Sequence, residues 1–168
     1  MAWKAAITDS GRPHALILSR QNLPVLDRNK YPSAEGLLKG GYVLSDSRGV
    51  PDVILLASGA EIHLALASAE SLRKEGVKAR VVNMACFEFF DAQPEAYRNK
   101  VLPPSVETRL AVEAGATSGW YKYIGLKGDV IGIDRFGASA PAKVLFEKFG
   151  FTPENIAGRA KRLLKKKR

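Results

Sequence analysis

The chain has 168 residues and a formal net charge of +9, with 46% hydrophobic residues, enough for one core of ordinary size in a globular domain. No apolar run approaches the ~20 residues that span a membrane, and the opening Met1 to Asp9 is too short and too soon charged for a secretory signal. A single cysteine, Cys86, excludes an internal disulfide and makes the reducing cytoplasm the expected compartment, and with only His14 and His63 beside it builds no structural zinc site by itself.

Ala2 to Ile7 has the pattern of a helix end, and Thr8 to Pro13 is a turn cluster. Ala15-Leu-Ile-Leu18 predicts a short buried strand, followed by the polar group Ser19-Arg20-Gln21-Asn22. An arginine at the carboxyl end of such a strand is placed to meet an anion, because ligands of open α/β sheets gather there; an exposed loop arginine is the other reading of the same spacing. Residues 25–40 lack periodicity, contain Pro32, Ser33 and Gly36, and read as a linker. Gly41 to Leu44 is an entering strand, expected to be antiparallel and at an edge.

Residues 52–84 carry the strongest pattern. Val53 to Ala57 is a continuous apolar run, as in a strand buried on both faces. Ile62, Ala65, Leu66, Ala69 and Leu72 recur at helical spacing, and Gly76 suits the left-handed position beyond a helix end. Arg80 to Met84 is a second strand, so the whole is a βαβ unit with a right-handed crossover and a parallel strand pair. The Ser58-Gly59-Ala60-Glu61 turn falls where backbone N–H groups can hold phosphate, but its glycine pattern is no dinucleotide fingerprint and Glu61 repels anions, so it reads as a structural turn. His63 reads as a boundary or surface residue.

Phe87, Phe89 and Phe90 form an aromatic cluster expected under the sheet edge. Asp91 to Lys100 predicts a helix, Thr108 to Glu113 a strand, and Asp129 to Ile133 a last strand. Ser139 is the expected N-cap of a helix with Pro141 in its first turn and Val144, Leu145 and Phe149 on its apolar face. Thr152 caps the final helix, whose buried stripe is Ile156, Ala157, Ala160, Leu163 and Leu164. Seven cations and no acid fall between Arg159 and Arg168, so the basicity is mainly a C-terminal tail. A solvated helix end accounts for it, with a weak polyanion contact as the alternative. Strands alternating with helices give an α/β fold, a three-layer αβα sandwich around a mostly parallel five-stranded sheet with one antiparallel edge strand. The strand order is not readable from the pattern, and no pair of side chains in sequence makes a nucleophile and its base.

An ordered set of segments resembles the C-terminal part of transketolases. Ala15 to Pro24 resembles the end of that family's middle, pyrimidine-binding domain, and Gly40-Gly41-Tyr42-Val43-Leu44 the opening of its C-terminal domain. Gly76 to Val82, Phe87 to Gln93, Tyr97-Arg98, Val101 to Pro103, Val112 to Gly115, Trp120 to Tyr123 with Gly125, Phe136 to Pro141 and Phe149 to Thr152 follow in the family's order. The chain departs from the family at Ala60, where a serine is usual, and in the basic run from Lys165 to Arg168.

The resemblance implies a thiamine-diphosphate enzyme of the pentose phosphate pathway that moves a two-carbon ketol unit between sugar phosphates, of which this chain is the last quarter. It implies residues 1–24 as the tail of the preceding domain, 25–40 as linker, 41–158 as the C-terminal α/β domain and 159–168 as basic helix end. The expected role is structural, with no catalytic, cofactor or metal residue in the chain. Thiamine diphosphate and magnesium or calcium are expected in the parent, together with upstream domains and a homodimer; neither a membrane nor a nucleic acid is expected as partner. One functional residue carries over: Arg20 is similar to the arginine that holds the substrate's phosphate, in keeping with the bidentate fit of guanidinium to phosphate oxygens. The alternative is a free-standing interaction or regulatory α/β module that binds a partner protein or a small anion.

Overall fold

The structure is a computed structural model that describes residues 1–166. Its centre is a five-stranded sheet in the order β1 (Gly41–Ser45), β3 (Ala79–Met84), β2 (Val53–Ala57), β4 (Arg109–Val112), β5 (Asp129–Ile131). β1 is antiparallel to β3 and lies at an edge; the other pairs are parallel. Helices cover both faces, so the three-layer αβα architecture and the single antiparallel edge strand are as the sequence pattern predicts.

β2 explains the layering. All five of its residues are fully buried, and successive side chains point to opposite faces. Val53, Leu55 and Ala57 join Val81, Leu110 and Val112 under α2 (Glu61–Lys74) and α7 (Pro153–Lys166). Ile54 and Leu56 join Val82, Met84 and Ala111 on the other face, under α3 (Phe87–Asp91), α4 (Glu95–Val101) and α5 (Tyr121–Ile124). Small residues at the inner surfaces, Ala65 and Ala69 on α2 and Ala157 and Ala160 on α7, let these two helices pack together. Ser68 Oγ ties them further, bonding both Leu64 O and Pro153 O.

Several expectations are corrected. Asp91 to Lys100 is not one helix but the end of α3 and most of α4, separated because Pro94 has an extended ψ of 146° and no N–H to continue a helical ladder. α6 (Ala142–Phe149) starts after Pro141, and Ser139 makes no cap; the residue before a proline is pushed out of the helical region, so the helix cannot reach back past Pro141. Its inner face is Leu145, Phe146 and Phe149, while Val144 is exposed. Within residues 25–40, Ala34–Lys39 form a 3₁₀ helix capped by Ser33, and Leu26 and Tyr31 pack on the core. Gly40 is required at its end, with φ +75° and a neighbour, Phe90 N, 2.2 Å from where a Cβ would sit. The basic end is not wholly solvated. Arg159 pairs with both oxygens of Asp129, and Lys161 with Glu75, along α7. Lys167 and Arg168 lie outside the described residues.

The largest difference is at the N-terminus. After α1 (Ala2–Thr8) the chain joins no sheet, and Ile17 and Leu18 are 91% and 72% exposed. The apolar pattern is that of a buried strand, but a strand needs a neighbour to satisfy its backbone, and neither edge of this sheet takes it. Leu16 to Leu18 are therefore expected to exchange their amide hydrogens orders of magnitude faster than Val53 to Leu56. Hydrogen exchange read by NMR tests this, and equal protection of the two segments would contradict it.

Candidate functional site

The strand order creates the site. From central β2 the chain crosses through α2 to β3 on one side, then through α3 and α4 to β4 on the other. The loops leaving β2 and β4 thus diverge onto opposite faces, which opens a crevice at the carboxyl ends of these strands. Ser58 follows β2 and Glu113 follows β4; the Ser58 hydroxyl donates to Glu113 Oε2 at 2.8 Å across that crevice. The neighbouring loops are fixed to one another. Thr117 donates from its backbone N–H (2.9 Å) and its hydroxyl (2.8 Å) to the two oxygens of Asp134, bonds that hold this carboxyl below the usual carboxylate range. Ile133 N–H donates to Gly115 O.

The N-terminal segment touches the domain through α1 and at points beyond it. His14 meets the Phe89 ring edge-on at 6.0 Å between centroids, with its Nε2 3.0 Å from Asp9 O. Further along, Ser19 lies beside Gly59: a Cβ on that glycine would be 3.9 Å from Ser19 Oγ. Arg20 is the next residue. It is exposed, and among the described residues no hydrogen bond or ion pair engages its guanidinium. Arg20 thus follows a residue that lies beside the turn after β2, on a segment that joins no sheet, and is not at the end of a buried strand.

Glu61 departs most from its sequence reading. A glutamate in the first turn of a helix is ordinarily solvated, but Glu61 is 5% exposed. Burial, with a smaller contribution from the charge of Glu113, pushes its pKa up to about 7. Its Oε2 is 3.7 Å from the same Cβ position on Gly59. Sequence reasoning missed this carboxyl pair because Glu61 and Glu113 come together only through the pairing of β2 with β4. The one available signal was the Ser-Gly-Ala-Glu run directly after a fully buried strand. His63 is half-buried, and desolvation lowers its pKa; as expected, it joins no cluster. Cys86 is half-buried with its thiol 3.3 Å from Glu88 Oε2. Among the described residues no group of three acidic, histidine or cysteine side chains could hold a metal ion, and no helix is long and apolar enough to cross a membrane.

Arg20 lines neither of two cavities among the described residues. A cleft of about 350 Å³ lies at the far, amino end of β4, where Arg109 donates to the carbonyls of Val106, Tyr123, Leu102 and Pro103 and so locks the loops around it. A smaller groove of about 200 Å³, lined by Ile133, Phe146, Phe149 and Phe151, lies along α6.

Known proteins resemble this chain throughout. Residues 40–152 match the family described as transketolase-like TK C-terminal domain. The chain is 52% identical to the transketolase of Aquifex aeolicus over 94% of its length and 51% identical to transketolase 1 of Escherichia coli K12 over 98%. It spans about a quarter of the length of these relatives (23% and 25%). A crystal structure of a Pichia stipitis transketolase in complex with sedoheptulose 7-phosphate superposes on 97% of the chain with a TM-score of 0.87 and 41% identity, the matched region being 23% of that protein.

Folding raises the Glu61 pKa, so the folded chain holds this proton more tightly than the unfolded chain. The resulting stabilisation is full below pH 4.5 and is lost as the pH rises to about 7. Glu61→Gln removes this dependence. Urea midpoints of the wild type are expected to fall between pH 4.5 and 8 relative to those of Glu61→Gln; parallel midpoints would exclude a buried, proton-holding Glu61.

Proposed function

The chain belongs to the transketolase family, in which it forms the C-terminal domain, and on that premise we propose that it works as part of a longer transketolase. The parent transfers a two-carbon ketol unit between sugar phosphates in the cytoplasm. The chain contributes a structural domain and one arginine, Arg20, that binds the phosphate of the sugar. The observation that carries the reading is the position of Arg20: exposed, unpaired among the described residues and directly after a residue that lies beside the turn following β2. A guanidinium left free in this way offers two parallel N–H donors to phosphate oxygens. The sugar phosphate bound to the Pichia stipitis relative supports the substrate class.

Residues 1–24 are proposed to belong to the preceding domain. The exposure of Ile17 and Leu18 fits a strand whose neighbours are supplied by that domain, with 25–40 as linker and 41–158 as the α/β domain proper. Thiamine diphosphate and its divalent metal, magnesium or calcium, are assigned to the parent outside this chain. The cofactor supplies the carbanion stabilisation; this chain's part is to hold the phosphate end of the substrate in register. The parent is proposed to act as a homodimer.

Two measurements test the reading. An immunoblot of source cells with antibody to this domain is expected to show a polypeptide roughly four times the mass of the chain, given its share of its relatives; a band at the chain's own mass would remove the catalytic role. In the full-length protein, Arg20→Ala is expected to raise the KM for phosphorylated sugars about 10- to 100-fold, the loss of charge-assisted hydrogen bonds worth ~1.5–3 kcal/mol, with a smaller change for unphosphorylated ketoses. Equal KM changes for both substrate types would count against a phosphate contact.

A further inference from the structure

A buried carboxyl, Glu61, lies near the residue that precedes Arg20. Gly59 has φ +52°, and one point beside it, the position of a Cβ, lies within 4 Å of both Glu61 Oε2 and Ser19 Oγ. A buried carboxyl and the segment that carries Arg20 thus flank a glycine that puts no side chain between them. The Ser58 hydroxyl holds a second carboxylate, Glu113, at the same turn. Neither Glu61 nor Glu113 is paired with a cation among the described residues. Arg20, the cation nearest in sequence to this contact, is also unpaired.

We infer that Glu61 is a positioning group for the Arg20 phosphate site, its ionisation setting whether the guanidinium faces phosphate or is drawn inward to the turn. The inference rests on the phosphate reading of Arg20 given above. With its proton on, Glu61 is neutral and leaves Arg20 to the ligand. Ionised, it stands with Glu113 as a second negative charge at the turn and draws the guanidinium away from the phosphate. The groups around Glu61 leave few other candidates for this titration. Glu113, from the end of β4, is the one whose charge acts on it. Ser58 and Ser19, from β2 and the N-terminal segment, carry no charge, and His63 lies two residues along the same helix. Burial of Glu61 places the titration near pH 7, inside the range over which an enzyme works.

The test is the pH profile of KM for a phosphorylated ketose, from pH 6 to 8.5, in the full-length protein and its Glu61→Gln and Arg20→Ala variants. The ketose phosphate itself titrates near pH 6, so the comparison is between variants and not along one curve. The wild-type KM is expected to rise about fivefold relative to that of Glu61→Gln across this range, as for one charge acting at a partly solvated site. In the Arg20→Ala background, adding Glu61→Gln is expected to change nothing. Superimposable profiles of wild type and Glu61→Gln, with Arg20→Ala still raising KM, would overturn the inference and leave the phosphate reading intact. An Arg20→Ala protein with unchanged KM would overturn both. A second measurement needs no variant. Binding linkage is reciprocal, so saturating inorganic phosphate is expected to raise the titration midpoint of the Glu61 carboxyl followed by ¹³C NMR, and a midpoint that phosphate leaves unmoved would sink the idea independently.

Discussion

β2 is the constraint on which the rest depends. Its five apolar side chains are fully buried, and it hydrogen-bonds to a parallel strand on each side. A strand so placed must be covered on both faces. α2 and α7 supply one cover and α3, α4 and α5 the other. Parallel neighbours cannot be joined by tight hairpins, so the chain crosses over a face each time. It leaves β2 towards β3 and returns past it to β4, and the resulting divergence of loops puts Ser58, Glu61 and Glu113 at one end of the sheet.

The same geometry explains why a glutamate is buried there. The first turn of α2 follows the fully buried β2 with only three residues between, and the helix lies flat on the core through Ile62, Ala65 and Leu66. Glu61 therefore has little path to solvent. A carboxyl in that position holds its proton to higher pH than an exposed one, because charging it costs desolvation with no cation in compensation. Asp134 shows the opposite outcome a short distance along the same edge. Two donors from Thr117 meet its oxygens, and its pKa falls.

The N-terminal segment is bound to the domain unevenly. α1, His14 and Ser19 touch it, while Ile17 and Leu18 face outward. A segment held at points and open between them suits a junction, where one face belongs to this domain and the other to what precedes it.

The sequence by itself determined the elements that local pattern controls. The unbroken apolar run from Val53 to Ala57, the helical spacing from Ile62 to Leu72 and the glycine at 76 specify β2, α2 and β3 within one residue or so of where they lie. Thr152 and Pro153 likewise fixed the start of α7, and the ordered motifs fixed the family. Only the tertiary structure decided the order β1-β3-β2-β4-β5, because period-two burial says which strands are inner and not which are neighbours. With that order came the Ser58–Glu113 bond and the burial of Glu61, neither of which is a property of local sequence. Arg20 stood out in the sequence as a candidate for anion binding from its chemistry and its family resemblance, but its surroundings were not legible: an apolar run predicts burial only where another element is present to bury it, and for Ala15 to Leu18 no strand of this sheet does so.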